Sequence, residues 1–122
     1  MQDFYLLAII LLLVDSVYIS SVSSFYGKII YKIQGSKMKL NLISTILCYI
    51  TLISGIYYFV IMKNMTYIDA LLLGWFVYGV FEFTNMALFN KWTWTSVFID
   101  TTWGGILFLL TYYIFNNVKI YL

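Results

Sequence analysis

IDALLLGWFVYGVFEFTNMALFNKWTWTSVFIDTTWGGILFLLTYYIF, residues 68–115, contains two long apolar runs joined by the short connection NKWTW. About 20 mainly apolar residues in a helix are enough to cross the hydrocarbon core of a bilayer. We therefore predict membrane spans over residues 68–89 and 95–115. A connection this short places consecutive helices side by side in opposite directions. The stretch predicts a helical hairpin within a membrane.

The rest of the chain extends this pattern, since residues 4–25 and 40–62 are also long and apolar enough to span. Of the 122 residues, 63% are hydrophobic and 10% are charged, whereas soluble domains carry about 25% charged residues. The first run lacks a basic n-region and begins with Asp3, so we interpret it as a span and not as a cleaved signal peptide. We predict an all-α integral membrane bundle of four transmembrane helices with antiparallel up-down neighbours, forming a single domain over residues 1–122.

Composition excludes several function classes. Without histidine, and with Cys48 as its single cysteine, the chain lacks an internal disulfide, Cys–His zinc sites, haem attachment and Ser–His–Asp catalysis. No span core offers a lysine for a Schiff base to retinal. Seven lysines and no arginine give a net charge of +2 without a basic stripe, so no nucleic-acid partner is expected. No cofactor is expected, and Cys48 is expected to be a small buried residue.

The lysines also predict the orientation of the chain, because basic residues near spans face the cytoplasm. Five lysines lie in the first and third connections, at positions 28, 32, 37, 39 and 91, and two lie on the other side, at positions 63 and 119. The first and third connections are therefore predicted to be cytoplasmic. Aromatic residues are expected to form two interfacial belts, one with Tyr26, Tyr31, Trp92 and Trp94, the other with Tyr57, Tyr58, Tyr67, Tyr112 and Tyr113.

Three acids, Asp15, Glu82 and Asp100, fall inside the predicted spans, whereas Asp3 and Asp69 lie at span edges. A charged carboxylate at mid-bilayer costs at least about 2.5 kcal/mol. Counted along the helices from the span ends, all three lie roughly 8 to 15 Å from the same membrane face. They are predicted to form one layer, in which at least one carboxyl group holds a proton near neutral pH.

Polar side chains three or four positions away share a helix face with each acid and are its expected partners. These are Asn85 for Glu82, Tyr18 for Asp15, and Trp103, followed by Gly104, for Asp100. The serines of the first span run along a neighbouring arc of the same helix and are further expected partners. The residues Asp15, Glu82, Asn85, Asp100 and Trp103 are predicted to bind a proton, a cation or a small polar ligand.

Three interpretations of this layer stay open. Transport is one use of such a site, and because four spans enclose little volume, a pathway would require a homo-oligomer. A structural or accessory protein would use the acids as hydrogen bonds between helices. An intramembrane enzyme would use Asp100 with Glu82 as an acid/base pair, which is the least expected class because no nucleophile accompanies them. Whether a metal binds is left open.

The polar positions also resemble a known family. Asp15 and Tyr26, followed by GWFVYGVFEFTNMALFNKWTWTSVFIDTTWG, resemble domain of unknown function 2177, small four-span membrane proteins of bacteria and of some large viruses. The family's recurring pattern corresponds here to Gly74, Tyr78, Thr84, Asn85, Trp92, Asp100, Trp103 and Gly104. The chain departs from that pattern at Glu82, Thr93 and Tyr18, where aspartate, proline and tryptophan are usual. The resemblance implies the four-span fold and supporting roles for Tyr26, Tyr78, Thr84 and Gly104, while Tyr18 is expected to have a supporting role from its spacing to Asp15. It implies a plasma or inner membrane of a cell, or a host or virion membrane of a virus, and it implies no activity.

Overall fold

The structure, a computed structural model, describes residues 2–122 and consists of four helices. These are α1 (Gln2–Gln34), α2 (Leu42–Ile56), α3 (Tyr67–Leu88) and α4 (Trp94–Lys119), and α2 continues directly into a π-helical segment (Tyr57–Ile61). No strand occurs within residues 2–122. All four helices, α2 counted with its continuation, are long and apolar enough to cross a membrane. The predicted all-α fold with four spans is confirmed, whereas the antiparallel up-down order and the single-domain assignment remain predictions.

Polar side chains determine where three of the helices begin. The Asn41 side chain accepts a hydrogen bond from the backbone N–H of Ser44 at 3.0 Å, and Thr93 caps α4 in the same way. At the start of α3, Thr66 and Asp69 form a reciprocal capping box. Asparagine and threonine suit these positions because their short side chains satisfy backbone N–H groups that lack helical partners. Asp69 therefore belongs to a helix cap, as expected for an acid at a span edge.

Most of the predicted first connection, residues 26–40, is helical, because α1 runs on to Gln34. Hydropathy indicates where a span leaves lipid, but a helix ends only where its backbone hydrogen bonds end. No proline interrupts this segment, and Gly27 in its interior costs only about 1 kcal/mol. The helix ends at Gly35, which has a left-handed φ of 75° and whose N–H donates to the Tyr31 carbonyl at 2.9 Å. A left-handed glycine is a common helix terminus.

Helix α4 lies at the centre of the bundle. Half of its most apolar window is buried, against 17% to 22% for the other three helices. Helix α3 packs closely on it where Gly74 faces Gly104, a position at which neither helix leaves room for a Cβ atom. Gly105 similarly lies against the backbone of Leu71. The glycines of the WGG sequence therefore serve close packing between helices, as small residues often do in membranes.

Helix α2 is the peripheral helix. Its C-terminal part joins the core, where Ile53, Ile56 and Val60 pack with residues of α1 such as Leu7 and Leu11. Its N-terminal part is largely exposed, at Leu42, Ile43, Ile46, Leu47 and Cys48. The expectation that Cys48 is buried is wrong, because no helix covers that face of α2. Clefts beside α2 therefore lead from the surface toward the buried acids.

Candidate functional site

The three intramembrane acids are buried on three different helices. Asp15 on α1 is 5% exposed, Glu82 on α3 is fully buried, and Asp100 on α4 is 9% exposed. Each acid lies on the side of its helix that packs against the neighbouring helices. The prediction that these acids are buried is confirmed. Their depth in a bilayer and their role as a binding site remain predictions.

Glu82 and Asp100 form a carboxyl pair between α3 and α4. Glu82 Oε1 accepts a hydrogen bond from the indole N–H of Trp92 at 2.9 Å, and Asp100 Oδ1 accepts one from the Tyr18 hydroxyl at 2.9 Å. The two carboxyl groups are close enough to share a hydrogen bond. Glu82 Oε2 is buried and has no donor within residues 2–122. Two carboxyl groups can bond to each other only when one of them is protonated.

Asp15 connects three helices. Its Oδ1 accepts a hydrogen bond from the Trp103 indole N–H of α4 at 2.9 Å, and its Oδ2 accepts one from the Tyr49 hydroxyl of α2 at 2.6 Å. The ring of Trp103 is stacked on that of Tyr18, with centroids 4.6 Å apart and planes inclined by 5°. This stack joins Asp15 to the carboxyl pair, because Tyr18 donates to Asp100.

We refer to these side chains together as the acid cluster: Asp15, Tyr18, Tyr49, Glu82, Trp92, Asp100 and Trp103. Within residues 2–122 the only ion pair is the exposed contact of Lys119 with Asp3 at 2.7 Å, outside the cluster. Lys91 donates to the backbone carbonyl of Lys32. The acids are thus held by neutral N–H and O–H donors in this part of the chain.

The bonding partners differ from those expected from helical spacing. Trp103 bonds to Asp15 on α1 and not to Asp100, three positions before it, while Tyr18 bonds to Asp100 on α4 and not to Asp15. A tyrosine hydroxyl or an indole N–H lies at the far end of a long, rigid side chain. It therefore extends past a carboxyl group on its own helix and meets one on the facing helix. The bonds consequently link helices to one another.

Several other predicted residues lie outside this hydrogen-bonded network. Asn85 is half-buried and makes no side-chain hydrogen bond within residues 2–122, and Thr84 is exposed. The serines of the first span, expected as partners, are largely exposed; Ser16, Ser20 and Ser21 donate to carbonyls of α1 itself. The polar roles of Asn85 and Thr84 therefore stay predictions.

The supporting residues Tyr26, Tyr78 and Gly104 lie around the acid cluster. The Tyr26 hydroxyl donates to the Ser96 carbonyl at 3.1 Å, and its ring lies 6.2 Å from that of Trp92. Tyr78 packs on Gly104 at the interface of α3 and α4.

Two residues of the acid cluster were not expected there. Trp92 was assigned to an interfacial belt, but it is 7% exposed and bonds to Glu82. The Trp92 side chain reaches Glu82 because the chain after α3 turns back over the end of the bundle, and its place in an interfacial belt stays a prediction. Tyr49 is not among the predicted site residues. A tyrosine in the middle of an apolar run, away from both belts, is nevertheless a signal that could identify it.

Two clefts beside α2 reach the acid cluster. The first, of about 370 Å³, is lined by residues that include Asp15, Lys39, Ser44, Tyr49 and Tyr78, and we call it the Asp15 cleft. The second, of about 350 Å³, is lined by residues that include Cys48, Leu52, Val77, Tyr78, Phe81 and Asp100, and we call it the Asp100 cleft. Volumes of this size lie at the lower end of those of small-molecule sites.

No group of three or more histidine, cysteine, aspartate or glutamate side chains in the described part of the chain is arranged to hold a metal ion. Within residues 2–122 the acids are instead spread along a line of aromatic donors. This geometry can hold a proton between two carboxyl groups, and it can present negative charge to the clefts.

Comparison with known proteins gives one finding. The family described as "Predicted membrane protein (DUF2177)" matches residues 1–114, which confirms the family that the sequence resembles. No curated protein and no solved structure matches the chain.

Proposed function

The chain belongs to the DUF2177 family of predicted membrane proteins, and we propose that its acid cluster binds a proton between Glu82 and Asp100. The negative charge that remains at this site attracts a cation or a small polar ligand, which the protein transports across the membrane. This role requires a second copy or more of the chain, since a four-helix unit of this size encloses little volume.

The observation that carries the proposal is Glu82 Oε2. This oxygen is fully buried, has no donor within residues 2–122, and belongs to a carboxyl group that faces Asp100. A buried carboxyl oxygen without a partner is costly, and two adjacent carboxylates in a medium of low dielectric repel strongly. One proton removes both costs, because the protonated oxygen then donates to the other carboxyl group.

The groups that surround the pair are weak acids or neutral donors. The titratable groups that face it are Asp15, Tyr18 and Tyr26 from α1, Cys48 from α2, and Tyr78 from α3. Trp92 supplies a neutral N–H to Glu82. The bound proton leaves the pair with one net negative charge.

The test is infrared difference spectroscopy of lipid-reconstituted protein across pH, comparing the parent chain with Glu82→Gln and Asp100→Asn. We expect the parent to show a protonated carboxyl band that disappears or shifts in either variant. Asp3→Asn serves as the matched control, because Asp3 is exposed and lies outside the acid cluster. Absence of any protonated carboxyl band that depends on Glu82 or Asp100 would refute the proposal.

The second candidate function is structural, and it is favoured by the bonds that Asp15 makes to α2 and α4. An accessory protein could use these bonds to fix helix packing, at about 0.6 kcal/mol each on average. The structural function predicts that the carboxyl groups titrate at no pH in the measured range. It also predicts that the amide variants lose stability or no longer co-purify with a partner protein. Proton binding predicts titration at the pair in protein that remains folded.

A further inference from the structure

We propose that the Asp100 cleft binds a lipophilic organic cation that enters from the bilayer. The inference rests on the proposed function, because the charge that attracts the cation is the single negative charge left on the protonated Glu82–Asp100 pair. It extends that function by naming the chemical class of the ligand and the cleft that receives it.

The shape of the Asp100 cleft suits a ligand that is mostly hydrocarbon. Its sides are formed by Leu52 of α2 and by Val77, Tyr78 and Phe81 of α3, and Asp100 lies among its lining residues. The volume of about 350 Å³ accommodates a small organic molecule. Two of these walls are aromatic, and a cation within about 6 Å of an aromatic ring face is attracted by the ring quadrupole.

Charge distinguishes this cleft from its neighbour. The Asp15 cleft has Lys39 in its lining, and both oxygens of Asp15 already accept hydrogen bonds from Trp103 and Tyr49. The lining of the Asp100 cleft contains no basic side chain. Because Glu82 Oε2 holds the shared proton in the proposed pair, the single negative charge of the pair lies on Asp100, which lines this cleft. The excess negative charge is therefore next to the Asp100 cleft.

An organic cation suits this lining better than a bare metal ion. Hard cations such as Ca²⁺ require six to eight oxygen ligands at about 2.3–2.6 Å, and the walls of this cleft are mainly carbon. The Thr51 hydroxyl in the lining already donates to the Leu47 carbonyl. A cation that carries its own apolar substituents needs only one carboxylate and apolar or aromatic walls.

The route to the cleft lies through the exposed side of the bundle at span level. Cys48 of α2 and Val77 and Phe81 of α3 line the cleft and are exposed. In a membrane these residues meet lipid, so a lipophilic cation partitioned into the bilayer reaches Asp100 without crossing the helix core.

Cys48 provides the assay, because it is the single cysteine in the chain and it lines the cleft. The rate at which N-ethylmaleimide modifies Cys48 is measured in liposomes with and without tetraphenylphosphonium. Tetraphenylborate is the matched control, since it has nearly the same shape and the opposite charge. We expect tetraphenylphosphonium to slow the modification several-fold and tetraphenylborate to leave the rate unchanged.

Two variants test the role of the charge. Asp100→Asn is expected to abolish the protection by tetraphenylphosphonium, and Asp3→Asn to preserve it. Val77→Lys places a basic side chain in the lining of the cleft and is expected to abolish the protection as well, which supplies a second readout if Asp100→Asn does not fold. Equal protection by both ions, or none by tetraphenylphosphonium, would overturn the inference. If the infrared band of the pair is present while protection is absent, proton binding stands and only the ligand class is wrong.

Discussion

The close contact of α3 with α4 gives the sharpest prediction about the fold. A Cβ atom added to Gly74 would overlap the Gly104 carbonyl and lie 2.7 Å from Cγ of Phe108. Ordinary carbon contacts lie at about 3.5 Å or more, so α3 must move away from α4 by at least about 0.8 Å. The Gly104 carbonyl belongs to the backbone of the facing helix, which cannot rotate away as a flexible side chain could.

The chain offers a matched control on the same helix. A Cβ atom at Gly79 would lie 3.7 Å from Thr101 Cγ2, an ordinary contact. Overpacking costs about 1–3 kcal/mol, whereas alanine in place of glycine within a helix gains up to about 1 kcal/mol. We expect Gly74→Ala to lower the free energy of unfolding by about 1–3 kcal/mol, and Gly79→Ala to leave it unchanged or raise it slightly.

The measurement is equilibrium unfolding of both variants in mixed micelles by a denaturing detergent, followed by tryptophan fluorescence. Separation of the helices at Gly74 also moves Trp103, which lies beside Gly104 and bonds to Asp15, so its environment should change in the folded state. Equal stability of the two variants, within about 0.5 kcal/mol, would refute the assignment of this contact as the tight interface.

Two further predictions concern one hydrogen bond of the acid cluster and one ion pair outside it. Tyr49→Phe removes the 2.6 Å hydrogen bond to Asp15 and should lower the free energy of unfolding by about 0.6–2 kcal/mol. Tyr58→Phe is the control, because this exposed ring makes no side-chain hydrogen bond within residues 2–122, and it should have no effect. Equal losses in the two variants would contradict the prediction. Asp3→Asn removes the exposed pair with Lys119 and should change the free energy of unfolding by less than about 1 kcal/mol; a larger loss, in the same detergent titration, would show that the ion pair is structural.

Hydropathy predicts the four spans well, because membrane helices must be apolar over a fixed length. The observed helix α3 (Tyr67–Leu88) begins and ends one residue from the predicted span, and α4 starts one residue before its prediction. The end of α1 is missed because residues 26–34 are polar enough to leave lipid but still form helical hydrogen bonds. Hydropathy indicates where a segment leaves the lipid, whereas backbone hydrogen bonds determine where the helix ends.

The burial of the acids is also predictable, but their partners are not. Spacing along one helix identifies Tyr18 and Trp103 as polar neighbours of the acids, yet it cannot show which carboxyl group each one reaches. That choice depends on how α1 packs against α4. Tyr49 and Trp92 escape prediction for the same reason, since both contribute through contacts between segments that are distant in sequence or folded back on the bundle.

The energies of burial and hydrogen bonding at Glu82 favour a bound proton over a purely structural carboxylate. An ionised carboxylate at mid-bilayer costs at least about 2.5 kcal/mol, and a hydrogen bond between membrane helices contributes about 0.6 kcal/mol on average. Glu82 accepts one hydrogen bond within residues 2–122, from Trp92, and its second oxygen accepts none there. A glutamine could accept the same indole N–H without the charge. A carboxyl group serves better than an amide at this position only if it gains and loses a proton, so Glu82→Gln should preserve the packing while abolishing the titration.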